Sequence, residues 1–530
     1  MRKLRADVVI IGTGGAGMMA ALGAAEQGAD VLIVGKAAVG RGTCTSFAGG
    51  AFTSSSLKFS TEQHNAATRE VGRYINDLQL VDLITQRGAE CLEKLRGMGV
   101  SLLPMRNGYR VDNQGNEKLI PGYPLVTSMR NALDARSIRS LPGFHCLELM
   151  VEDDAVAGIW GGTTAGPAVI SAPSVILATG GAGAIYLRND NPMGINGDGY
   201  AMALKAGCRL RDMEFVQFYP IGTAEPGLAS NLILPPFPKE AMVYDVQGRN
   251  VFDDLENCNS IIDAIMRFRD TASVFFYRKH LEGGLFLDLT GVDDSQWQKL
   301  HSLRLLAKKK FDFGTQKLRI APITHFSIGG VEINTDMETT VPGLFAIGEV
   351  AGGFHGANRM GGNALTECIV EGTIAGENAA SLAKSRGAVN VSDSGVKDRI
   401  PKWAYKKGEG VRPEYGKLFK RIKKTAWENA GIIRDIEGMQ KGLELVSLME
   451  DELEALAPGN ITEGLRVNRM RSALLTLGCI LKASLVRRES RGALYREDCP
   501  ETDDANWRRN IFVSLDSASD NLNLEDRAMG

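Results

Sequence analysis

Residues 6–36, ADVVIIGTGGAGMMAALGAAEQGADVLIVGK, run as strand, glycine turn, helix and second strand. A chain that opens this way is committed to a βαβ unit within a parallel sheet. Residues 7–11 are a short apolar run rich in β-branched side chains, suited to a strand buried on both faces. Gly12, Gly14 and Gly17 follow at GxGxxG spacing. Gly12 allows the tight turn, Gly14 admits a pyrophosphate close to the backbone, and Gly17 lets the helix pack against the strand. Gly15 and Ala16 open that helix, whose free amides and positive end suit the pyrophosphate. Glycine turns arise by chance in a chain with 61 glycines, so the weight comes from two strands and a helix lying in register. The second strand, 31–34, ends in Gly35 and Lys36, where a nicotinamide-binding fold places Asp or Glu on the ribose. The missing acid lowers a nicotinamide reading and leaves FAD as the expected dinucleotide.

A chain of 530 residues is too long for one core, so two or three domains are expected. Net charge is −2, and no Lys/Arg run is long enough to track a phosphate backbone, which argues against nucleic acid as a partner. No apolar run approaches the roughly 20 residues that span a bilayer. The chain enters its first strand within a few residues, leaving no room for a signal peptide. These features predict a cytoplasmic protein without direct membrane insertion, any membrane attachment being supplied by a partner subunit. The cysteines (44, 91, 146, 208, 258, 368, 479 and 499) are scattered without a CxxC, as suits reduced, mostly buried thiols. They offer no zinc or iron-sulfur cradle, so no metal site is expected in this chain.

Three later segments read as returns to the nucleotide domain. Residues 174–184 form an apolar strand breaking into small residues, 191–207 a glycine loop entering a helix, and 343–353 a strand ending in Glu349. The expected architecture is α/β: a Rossmann-like FAD-binding domain (1–220 and 331–385), an inserted α+β capping domain (221–330), and a helical C-terminal domain with tail (386–530). Amphipathic patterns at 415–428 and 436–456 carry the helical part, and the polar end, 489–530, is expected to lie along the surface.

Six ordered motifs resemble the fumarate reductase and succinate dehydrogenase flavoprotein family, which also includes L-aspartate oxidase. They are ATGGAG (178–183), GDG (197–199), MEFVQFYP (213–220), HFSIGG (325–330), HGANRMGGNAL (355–365) and RRESRGALYREDCP (487–500). The resemblance implies that Glu349 takes flavin sugar hydroxyls, that Asp198 supports the adenosine half, and that Ala364 and Leu365 bring backbone close to the isoalloxazine. It also sets Lys36, Thr43, Gly50, Ala178, Thr179 and Gly180 along the cofactor. In membrane-bound members a histidine in an RSHT segment is joined covalently to FAD. Here the aligned residues are Arg41, Gly42, Thr43 and Cys44. Thr43 has no nucleophilic nitrogen, so non-covalent FAD is expected, and with it a lean towards reduction.

Reducing an activated C=C bond needs a hydride source, a cationic site on the acceptor's carboxylate, and a proton donor on the opposite face. By resemblance His325 and Arg359 hold one carboxylate and Arg269 is the proton donor. His355, four residues before Arg359, shares a face with it if the segment is helical, and substrate contact and structural support both stand open for it. The family's FHPTG becomes Phe218, Tyr219, Pro220, Ile221, Gly222, so Tyr219 replaces a carboxylate-binding histidine. Its TEGxRGEGG segment aligns with residues 234–240, where the substrate threonine and the relay Glu and Arg are missing. Lys239 and Glu240 are the candidate substitutes. Such a site predicts a small organic acid with one carboxylate and a larger, less polar substituent. An ordinary fumarate reductase or succinate dehydrogenase flavoprotein, an L-aspartate oxidase, and an electron-transfer subunit that has lost dicarboxylate chemistry are the competing readings. With no cluster motif in the chain, electrons are expected from an iron-sulfur or other electron-transfer subunit, or from a soluble donor.

Overall fold

The computed structural model describes all residues except 114, 117–118, 236, 298–302, 305, 307–310, 392–398, 409, 517, 520 and 530. Strand Val8–Ile11, buried along its whole length, sits at the centre of a parallel sheet. The order across that sheet is Leu344–Ala346, Ser174–Leu177, Val8–Ile11, Val31–Gly35 and Arg139–Pro142. Helix Gly15–Glu26 leaves the central strand and packs against helix Asn363–Arg386 at a spacing only small residues permit. A Cβ on Gly372 would lie 2.6 Å from the Ala16 carbonyl oxygen, and one on Gly376 2.3 Å from that of Ala20. Residues 174–177 and 344–346 return to the first sheet on either side of a long excursion, as the apolar runs there predict.

That excursion is an antiparallel sheet ordered Val216–Thr223, Leu318–Ser327, Leu285–Asp288 and Met242–Asp245, with helices Ile261–Met266 and Arg269–Leu281 on it. It has a separate apolar core that includes Tyr219, Ile221, Val243, Phe276, Leu287, Ile320 and Ile323. The pairing of its two long strands slips where they leave the nucleotide domain: Gln217 faces Phe326 and Phe218 faces Thr324, so His325 is the extra residue of a bulge. Bulges turn side chains out of the regular alternation.

Helices Pro413–Asn429 and Ile436–Ala455 form over the predicted amphipathic stretches, and helix Ile461–Val486, not singled out from the sequence, completes the C-terminal domain. The tail departs from the surface course expected of it. Strand Arg509–Leu515 inserts between Leu210–Arg211 and Leu522–Ala528 in a five-stranded sheet. Arg487, Glu489, Arg491 and Arg496 are buried. The tail goes inside because its charges neutralise one another: Arg487 Nε meets Glu214 Oε1 at 2.7 Å, and Glu489 Oε1 accepts from Arg487 Nη1 at 2.9 Å and Arg491 Nε at 2.7 Å. Removing one partner of such a set would strand a buried charge, which is why the pairing must be complete.

Candidate active site

The nucleotide cradle is built where the central strand ends. Gly12 has φ +121°, and a Cβ there would stand 2.0 Å from the Ala178 carbonyl oxygen. A Cβ on Gly17 would stand 2.1 Å from the Gly12 oxygen, so this glycine sets how closely the helix meets the strand. At Gly14 and Gly15 a Cβ would meet only the side chains of Thr43 and Thr45, at 3.1 Å or more, leaving room over the helix start. The Gly15 amide is taken by Thr45 Oγ1 at 3.0 Å, and Gly14 provides no side-chain cap for the remaining first-turn amides, including that of Ala16. Thr43 caps the short helix Cys44–Phe47, its Oγ1 accepting from the Ser46 amide at 3.2 Å. Gly50, at φ +73°, fits against Pro121 and Val111.

Lys36 Nζ donates to the Gly194 carbonyl at 2.6 Å and to the Asp198 carboxylate, which joins the second strand to the GDG helix Asp198–Lys205. Ala178 continues the 174–177 strand, with its amide on the Ile11 oxygen at 2.9 Å. Thr179 Oγ1 beside it is buried with no protein partner. Gly180, at φ +73°, and Gly181 lie beneath the Glu349 carboxylate: a Cβ on Gly181 would be 2.4 Å from Glu349 Oε1. Glu349 Oε1 accepts from the Ser327 amide at 3.0 Å, and burial pushes this carboxyl up to about 7. Ala364 and Leu365 lie in the first turn of Asn363–Arg386, which has neither a side-chain cap nor an acidic first-turn residue. Its amides and positive end therefore remain available to an electron-rich ring edge. An orphan hydroxyl, a side-chain-free turn under a buried acceptor and two uncapped helix starts fit FAD.

The capping domain contributes the second half of the site. Arg359 is buried, while Arg269 and His325 keep part of their surface open. Both guanidiniums end on one neutral atom. Gln217 Oε1 accepts from Arg269 Nη1 at 3.2 Å and from Arg359 Nε at 3.1 Å. Gln217 Nε2 in turn donates to Asn358 Oδ1 at 2.8 Å and the Arg359 carbonyl at 3.0 Å. Among the described residues neither arginine forms an ion pair with a carboxylate. Burial and then the neighbouring Arg269 bring Arg359 down to about 9, and burial lowers Arg269 too. His325 Nδ1 lies 2.8 Å from Asp190 Oδ2, which directs Nε2 away from that carboxylate, and burial holds its proton affinity below that of a free imidazole. Tyr219 lies against both, its ring 5.5 Å from the Arg269 guanidinium and tilted 59° to the His325 ring at 5.8 Å.

His355 and Arg359 do not share a helix face, because residues 353–362 run as turns and bends through four glycines. His355 is 2% exposed, hydrogen-bonded through Nε2 to Glu367 Oε2 at 3.1 Å and packed on Phe326 and Phe354. Burial pushes His355 well down and Glu367 up to about 8, so both are neutral near pH 7, and the pair supports the loop from behind. Lys239 and Glu240 are exposed in a turn and share no bond with Arg269. Pro236 of the aligned proline segment lies outside the described residues. Leu234 and Phe237 of that segment, with Leu232 just before it, pack on the capping core that includes Tyr219, and Leu234 reaches within 3.3 Å of where a Gly49 Cβ would stand. Three residues that organise the cluster were not singled out from the sequence: Gln217, Asn358 and Asp190. Gln217 lies inside the MEFVQFYP motif, but a neutral amide has no signature until folding sets two arginines opposite it.

Cradle and cationic cluster together define an FAD-dependent oxidoreductase. The FAD binding domain family matches residues 7–365, and the fumarate reductase flavoprotein C-terminal family matches 419–529. The chain belongs to the fumarate reductase and succinate dehydrogenase flavoprotein family. It is 31% identical to one of the subunits of the fumarate reductase (CoM/CoB) of Methanothermobacter marburgensis, over 96% of this chain and 97% of that one. It is 28% identical to an L-aspartate oxidase of Streptomyces coelicolor, over 97% and 92% respectively. The solved FrdA chain of E. coli quinol fumarate reductase superposes with a TM-score of 0.86 at 26% identity, covering 100% of this chain and 97% of that one. Among the described residues no helix is long and apolar enough to cross a membrane, and no cluster of His, Cys, Asp and Glu is placed to hold a metal.

Proposed function

We propose that this protein reduces, or in reverse forms, a C=C bond next to a carboxylate, in an acid with one carboxylate and a less polar substituent than fumarate carries. The observation that carries this reading is the shared neutral acceptor: two guanidiniums converge on the Gln217 oxygen, and among the described residues no carboxylate is in ion-pair contact with either. Desolvated cations held on a neutral acceptor are costly, and an anionic ligand supplies the direct counter-charge that Gln217 does not. Bound FAD contributes hydride exchange with carbon. Arg359 and His325 hold and polarise the carboxylate. An arriving anion favours imidazolium at His325, and Asp190 on Nδ1 shares that charge. Arg269, with Nη1 on Gln217, delivers a proton to the α-carbon from its remaining nitrogen and becomes neutral more easily because it is desolvated. Tyr219, Leu232, Leu234 and Phe237 supply apolar surface where the second carboxylate of a dicarboxylic acid would require donors. FAD held without a covalent bond, as Thr43 implies, and electrons delivered by a separate protein complete the reading. That two relatives are named as subunits supports the second point.

Fumarate itself is the second reading, favoured by the Methanothermobacter relative's name and its match along nearly the whole chain. Anaerobic photoreduction of the purified protein, followed by addition of fumarate or of monocarboxylic enoates, separates the cases by flavin reoxidation. Reoxidation by an aryl or alkyl enoate, and not by fumarate, is the expected result. Rapid reoxidation by fumarate alone would replace the proposal with the second reading, and no response to any acid would favour an electron-transfer role.

A further inference from the structure

Arg269 is the first residue of its helix, a position that frays unless something anchors it. Phe268 precedes it and provides no side-chain cap. The anchor comes from across the domain boundary: Asp270 Oδ2 accepts from Arg73 Nη2 at 2.8 Å and from Asn358 Nδ2 at 3.4 Å. Asn358 also holds Gln217, and Gln217 holds Arg269, so these groups close a ring around the helix start.

The backbone that presents Arg73 is itself constrained. Arg73 and the following Tyr74 have φ +55° and +59°, a consecutive left-handed pair that side chains other than glycine's rarely adopt. Neighbours impose it. Arg491 Nη1 holds the Arg73 carbonyl at 3.1 Å, the Ala357 amide holds that of Gly72 at 2.9 Å, and Asn76 Nδ2 holds that of Phe354 at 2.8 Å. The turn is thus tied to the tail and to the loop that carries Arg359, and its side chain is aimed at the capping helix.

Resting on the role given above to Arg269, we propose that Arg73 is a positioning residue: through Asp270 it fixes the start of helix Arg269–Leu281 so that Arg269 and Arg359 meet on one amide oxygen. With its side chain 44% exposed, the Arg73–Asp270 pair contributes little to stability. Its loss therefore leaves the fold intact and displaces the reacting group, where a shift of about 1 Å can reduce turnover roughly a hundredfold.

The test compares Arg73→Ala, Arg73→Lys and, as control, Arg267→Ala on the same side of the cap, in the FAD-loaded protein. Hydrogen exchange of the amides in 269–276 should be about three- to fivefold faster in Arg73→Ala and unchanged in Arg267→Ala. In flavin reoxidation by the best acid, kcat should fall by about ten- to a hundredfold with KM changed less than about threefold, and Arg73→Lys should recover part of the loss. Exchange or kcat within twofold of the unmodified protein in Arg73→Ala would overturn the proposal. If no acid reoxidises even the unmodified protein, the proposed reaction fails, and the exchange comparison alone decides whether Arg73 anchors the helix.

Discussion

Gln217→Glu places a carboxylate of the same shape where two guanidiniums now share a neutral oxygen. On the reasoning above the variant carries its own counter-ion, so it should lose affinity for carboxylate ligands while keeping its fold. The internal charge would sit roughly 5 Å from the place of the bound carboxylate, and at an effective dielectric near 20 this opposes binding by about 3 kcal/mol, a hundredfold or more in Kd. The folded protein gains because the bonds from Arg269 Nη1 and Arg359 Nε become charge-assisted, each strengthening by about 1 kcal/mol. It loses the donations from Gln217 Nε2 to Asn358 Oδ1 and the Arg359 carbonyl, about 1 kcal/mol each. Stability should therefore stay within about 2 kcal/mol of the unmodified protein. Titration of a non-reacting monocarboxylate against the flavin absorbance band measures Kd, and thermal unfolding measures the second quantity. A variant that binds the carboxylate within threefold of the unmodified protein would refute the claim that the two arginines await an anion.

Tyr219→His restores the side chain the family uses on a second carboxylate, and should raise kcat/KM for fumarate at least tenfold relative to a monocarboxylic enoate; an unchanged ratio in reoxidation assays would move specificity elsewhere in the site. Acid precipitation should release the flavin into the supernatant, because Thr43 lacks the imidazole nitrogen that would hold it covalently; colour remaining with the pellet would contradict this. In cofactor-free protein the buried Glu349 retains its proton up to about 7, against 4.5 ordinarily. Its contribution is therefore fully present below pH 4.5 and lost as pH rises through 7, about 3 kcal/mol in total. Glu349→Gln should lack that loss, so its unfolding free energy relative to the unmodified protein should improve from pH 5 to pH 8; parallel curves would count against the buried carboxyl.

The nucleotide half was legible because its signals are local. A strand, three spaced glycines and a helix start lie within a short stretch, and Gly12 and Gly17 occupy the contacts that spacing foretold. The helices at 413–429 and 436–455 followed from amphipathic periodicity for the same reason. His355 stayed undecided from the sequence because the i,i+4 spacing to Arg359 means a shared face only in a helix, and the glycines of 353–362 run as turns and bends instead. The tail misled because composition counts Arg487, Glu489 and Arg491 as polar and cannot register that they neutralise one another. Gln217 and Asp190 were silent for a related reason: each matters through what folding sets opposite it, and no window along the chain contains that.

The tail's ties have a consequence in time. Arg487 grips Glu214, three residues before Gln217; Arg491 holds the Arg73 carbonyl; and the Ala493 amide bonds the Ala357 oxygen at 2.9 Å, two residues before Arg359. Each of these holds a piece of the site made much earlier in synthesis. The ribosome must therefore finish almost the whole polypeptide before the arginine pair can be set in place, whereas the glycine cradle at the amino end emerges first. The arginine pair is thus the last part of the site to be completed, and a message truncated near its end would leave Glu214 buried without its partner Arg487.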